Sequence, residues 1–136
     1  MPEPALVLDA DAALAYARGQ HDVGFVISAA ADEKLEVIVP ALCLAEAHRR
    51  GTSEDVPYLE LLASLPHVTV PGIGMDDCLF LGGFAKTVGS LHLSHAVIEA
   101  ARSPETQLIT SARELVTRIL PREWPVFDIP PADDGE

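Results

Sequence analysis

Four acidic side chains recur at one kind of place in this sequence. Asp9 and Asp11 follow the apolar run "ALVL", Glu46 lies in "ALCLAEAHRR" after the run "EVIVP", and Glu114 follows "QLIT". In a parallel α/β sheet, the residues just beyond the carboxyl ends of the strands converge on one crevice. Glu46 is two turns into its helix, on the stripe of Leu42 and Ala45, and so points toward the body of the protein. Carboxylates gathered in one crevice repel one another and raise their pKa values unless a cation intervenes. A real cluster therefore implies a hard divalent ion held by oxygen, which positions water and neutralises phosphate during hydrolysis.

The segment "LHLSHAVIEAAR" adds imidazoles. His92, His95, Glu99 and Arg102 fall on one helical stripe, opposite the apolar face of Leu93, Ala96, Val97 and Ala100. His95 with His92 or Glu99 is spaced to share an ion. Each of these residues also has a purely structural role open to it. The imidazole stripe is the wet side of an amphipathic helix, and Asp9 or Asp11 caps the helix that follows. Glu46 pairs with Arg50 at i, i+4. In "TSARE", Thr110 or Ser111 caps a helix, and Ser111 with Glu114 spells a capping box.

The elements that must position these groups are legible as alternation. The short runs "ALVL", "EVIV", "HVTV", "QLIT" and "PVFDI" are continuously apolar or nearly so, and helical patterns separate them. Strands of that kind form a mainly parallel sheet covered on both faces, an α/β three-layer sandwich with "ALVLD" near its centre. With 136 residues, 49% of them hydrophobic, the chain suits one domain over 1–129, followed by an acidic, disordered tail at 130–136. Cys43 and Cys78 form no metal spacing and are expected as two reduced, half-buried thiols. The N-terminus lacks the pattern of a signal peptide and no apolar run is long enough to span a bilayer, so a soluble, cytoplasmic protein with no membrane partner is expected. A net charge of −12, with nine Lys plus Arg, argues against a general nucleic-acid coat.

In this order the segments resemble a PIN domain, the nuclease fold of the VapC toxins of toxin–antitoxin pairs, over nearly the whole chain. "LVLDADAALA" is similar to the family's first strand and acid, with Asp9 at the acid. "VIVPALCLAEAHRR" resembles the second strand and its Glu-bearing helix, with Glu46 at that position. "LHLSHAVIEAA" matches the helix that reads Asp-Ala in the family, and "LITSARELV" the turn that reads Thr-Ser-Asp-x-Asp. By that matching His95 stands at the third acid, Ala112 at the fourth, and Glu114 at the auxiliary acid. The resemblance implies Mg²⁺ or Mn²⁺ held by Asp9, Glu46 and Glu114, with His95 as a further ligand or acid/base group, and RNA as substrate. It also implies an antitoxin-like partner and a homodimer, for which the helix "CLFLGGFAKTVG" with Gly82 and Gly83 is a candidate contact. The two missing carboxylates favour a protein of ribonuclease ancestry whose metal-dependent cleavage is weak or lost and which binds a protein partner or RNA. The alternative is an active ribonuclease toxin in which His95 replaces a carboxylate ligand.

Overall fold

The computed structural model describes residues 5–102 and 105–133. Five strands form one sheet: β1 (Ala5–Leu8), β2 (Glu36–Ile38), β3 (Val68–Thr69), β4 (Gln107–Thr110) and β5 (Val126–Asp128), in the order β3-β2-β1-β4-β5. Every pairing is parallel, and β1 lies at the centre with Leu6 opposite Val37 and Val7 opposite Leu108. The continuous apolar runs are explained by this placement. Both faces of β1 are covered, and its four residues are all buried.

Strand alternation sorts the core into two halves. Leu6 and Leu8 point to one face, where they meet Leu14 of α1 (Ala10–Ala17), Val23 and Ile27 of α2 (His21–Asp32), and Leu59 and Leu62 of α4 (Val56–Ser64). Val7 and Leu108 point to the other. There they meet Cys43 of α3 (Ala41–Arg50), Val88 of α5 (Cys78–Val88), Leu93 and Val97 of α6 (Leu91–Ala101), and Val116 of the single-turn α7 (Arg113–Val116). A 3₁₀ turn at Met75–Asp77 leads into α5. Burying each of the large aliphatic side chains contributes about 2 kcal/mol, so the two faces hold the sheet between layers of helix. No helix among the described residues is long and apolar enough to cross a membrane.

Some local expectations are corrected. The stripe His92–His95–Glu99–Arg102 is not the wet side of α6. His95 and Glu99 are buried, because α5 packs on one flank of α6 and α3 on another. Of the two free cysteines, Cys43 is fully buried and Cys78 exposed, rather than both half-buried. The expected tail at 130–136 falls partly outside the described residues, at 134–136. Within them, the carbonyls of Ala132 and Asp133 accept hydrogen bonds from Arg50 and Arg18.

Candidate functional site

The carboxyl end of β1 delivers Asp9 directly to the start of α1. Its Oδ1 accepts the Ala12 amide at 2.9 Å, which makes it the helix cap, while its own amide bonds the Ile109 carbonyl of β4. Only 3% of Asp9 is exposed. Burial pushes its carboxyl up to about 6, against the opposing pull of the Thr110 hydroxyl and the Ala12 and Ser111 amides, and the neighbouring Asp11 charge adds to the rise.

Asp11, two residues further, is held from two sides. Arg50 Nη1, at the end of α3, donates to its Oδ1 at 2.6 Å, and the Ser111 hydroxyl donates to Oδ2. Ser111 is therefore turned toward α1 and does not cap α7. The expected capping box with Glu114 is absent: Ala112 occupies the cap position without a side-chain bond, and Thr110 Oγ1 takes the Ala112 amide at 2.9 Å. Arg113 of α7 donates to Asp128 and to the Val126 carbonyl, beside the buried Val116 that packs the turn onto the core.

Glu46 projects from α3 beside this group. Its carboxylate is gripped by Arg49 through two bonds of 2.7 Å, and its Oε2 stands 3.6 Å from His92 Nε2. Arg49 at i, i+3 makes the hydrogen bonds to Glu46, while Arg50 donates to Asp11 and acts on Glu46 through its charge. The Arg49 bond is the main reason the Glu46 carboxyl lies below the usual carboxylate range, with His92 pulling the same way. His92 is held below the ordinary imidazole value by burial, with Glu46 acting in the opposite direction. The Cys43 thiol, pushed up chiefly by burial and further by Asp9, donates to the His92 carbonyl.

His95 goes elsewhere. It is fully buried, and its Nδ1 accepts the Leu42 amide at 3.3 Å. Helix α3 begins at Pro40, which has no side chain able to cap it, so His95 supplies the missing acceptor from another helix. Its Nε2 faces Glu99 Oε2 at 3.5 Å, and Glu99 in turn takes Arg102. Nδ1 is thus committed to structure, while Nε2 is buried beside Glu99 without a hydrogen bond.

These elements surround a crevice of about 270 Å³ at the carboxyl end of the sheet, lined by Asp9, Asp11, Arg50, Ser90, His92 and Ser111 among others. Of the residues expected there, Asp9 is present, Glu46 reaches its edge through His92, and His95 and Glu114 are not in its lining. Arg50 was missed as a crevice group, whereas His92 was expected only as a candidate partner of His95. The signal was present: Arg50 lies four residues beyond Glu46, so a Glu46 that points inward carries Arg50 with it.

A divalent ion requires several carboxylate oxygens free to converge. Here Asp11 is spent on Arg50 and Ser111, Glu46 on Arg49, and Asp9 on a helix cap. Among the described residues no group of three or more His, Cys, Asp or Glu is placed to hold a metal. In this arrangement each of the three acids accepts hydrogen bonds from the chain's own groups.

No family model matches the chain, and no curated protein matches it. A chain from the crystal structure of VapBC2 from Rickettsia felis, bound to a DNA fragment from their promoter, does match in three dimensions. The TM-score is 0.64 over 92% of this chain and 98% of that one, at 13% sequence identity. At that identity the likeness is one of fold, that of a parallel α/β sandwich.

Proposed function

We propose that this is a PIN-like protein of ribonuclease ancestry whose metal-dependent cleavage is weak or lost, and that it acts by binding a protein partner. The observation that carries this reading is the bond between Arg50 and Asp11. A guanidinium of the chain itself supplies the positive charge that a divalent ion would bring, and Arg49 does the same for Glu46. A guanidinium neutralises a carboxylate but carries no water to activate, so the crevice keeps its charge balance and loses the means of hydrolysis.

A protein partner is favoured over RNA by the charge of −12, which offers phosphate few clustered cations. A groove of about 880 Å³ between the α1–α2 turn and α4 supports it too. Phe25 and Tyr58 stand in its walls, 69% and 54% exposed. Because the structural neighbour was solved as VapBC2, the partner class we infer is an antitoxin-like protein that covers this groove. A homodimer through α5 rests on Leu79 and Phe80, which face outward while Leu81 and Val88 pack inward.

A second reading, an active Mn²⁺- or Mg²⁺-dependent ribonuclease toxin, draws on Asp9 and Asp11 sharing one crevice. The two are separated by an RNA cleavage assay with either ion on the wild type and on Glu46→Ala. The proposed reading expects little or no metal-dependent cleavage by the wild type and no further loss in Glu46→Ala. Cleavage by the wild type that Glu46→Ala abolishes would establish the enzyme instead.

A further inference from the structure

After β5 the chain does not leave the surface. The Ile129 amide bonds the Thr110 carbonyl at 3.1 Å and its side chain is buried, which anchors the segment at the end of the sheet. Pro130 and Pro131 follow, each with a fixed φ and no amide proton, so the next residues are presented on a stiff arm. The Ala132 carbonyl then accepts Arg50 Nη2 at 2.6 Å, and the Asp133 carbonyl accepts Arg18 Nη1 at 2.5 Å.

The two arginines belong to different cavities. Arg50 lines the crevice and also holds Asp11, while Arg18 lines the groove of Phe25 and Tyr58 and also holds Asp55. Adjacent carbonyls of one stiff arm therefore rest on one cation from each site. We propose that residues 129–133 are a strap that couples the two cavities. Whatever draws Arg18 away from Asp133 unseats the arm and releases Ala132 from Arg50, and displacement at Arg50 is felt at Arg18 in the same way. This inference depends on the strap alone and holds whatever fills either cavity.

A second route between the arginines exists. Arg18 bonds Asp55, and Asp55 accepts the Thr52 amide just beyond the end of α3. The test must tell the two routes apart. The full chain is treated with phenylglyoxal, which modifies accessible guanidinium groups, and the rates at Arg50 and Arg18 are read separately by peptide mass spectrometry. Arg18→Gln breaks the strap's far contact. The double substitution Pro130→Gly with Pro131→Gly slackens the arm while leaving both arginines and Asp55 in place.

The strap requires the Arg50 rate to rise roughly tenfold in Arg18→Gln, the scale of one hydrogen bond to a charged group. Both the Arg50 and Arg18 rates must also rise together in the glycine variant. An unchanged Arg50 rate in the glycine variant overturns the proposal whatever Arg18→Gln does, since any coupling then runs through Asp55. An unchanged Arg50 rate in Arg18→Gln overturns it as well. Should Arg18→Gln fail to fold, the glycine variant decides alone.

Discussion

Arg50 donates to Asp11 at 2.6 Å across the mouth of the crevice, with both side chains only about 15% exposed. At that burial an ion pair is shielded from water, and removing one member leaves the other charge stranded. Arg50→Ala is therefore expected to cost about 2 kcal/mol in urea unfolding, between the values for surface and fully buried pairs. A loss below about 0.5 kcal/mol would show that Asp11 is solvated without its partner.

Asp9 yields a pH dependence of definite sign. Burial holds its carboxyl up at about 6 in the fold against an ordinary 3.8, so between those values the folded protein binds the extra proton. Stability from this group falls as pH rises from about 4 to about 6 and stays low above that, a total of about 3 kcal/mol from the linkage of proton binding to folding. Asp9→Asn keeps an oxygen for the Ala12 amide and removes the ionisation. The variant should be the more stable protein at pH 7, and the gap should close near pH 4. A wild type that remains the more stable at pH 7 would contradict this.

His95→Ala removes the acceptor for the Leu42 amide and leaves a hole in the core, with an expected loss of about 2 to 4 kcal/mol. His95→Asn, whose carboxamide oxygen can take that amide, should recover about 1 kcal/mol of it. Equal losses in both variants would mean that volume alone matters at this position.

At the turn after β4, Glu114→Ala should leave stability within about 0.5 kcal/mol of wild type, since no capping box exists to be broken. Ser111→Ala is expected to destabilise more, through Asp11 rather than through α7. Thermal melts of the two variants side by side decide the order.

The contrast between these residues shows what the sequence carried. Continuous apolar runs located β1, β2 and β4 and implied their parallel pairing, because strand burial is written in local pattern; the central place of β1 is not written there. Asp9 as a cap was legible for the same reason. Ser111 was not: its local alternatives were all within five residues, and its actual partner, Asp11, lies 100 residues away. His95 misled in the same way. A polar stripe on a helix reads as solvent-facing until it is known that α3 follows Pro40 and takes an acceptor from outside. Local rules placed the elements, whereas the contacts that decide the chemistry of the crevice join segments far apart in the chain.

The claim that the crevice carries its own counter-ions is tested most directly by titrating Mn²⁺ into the wild-type protein near pH 7.5 and following bound ion by electron paramagnetic resonance. The account expects no saturable binding in the micromolar range, and expects Glu46→Ala to behave as the wild type. Micromolar binding that disappears in Glu46→Ala would contradict it, and would show that Arg49 and Arg50 yield the acids to a metal.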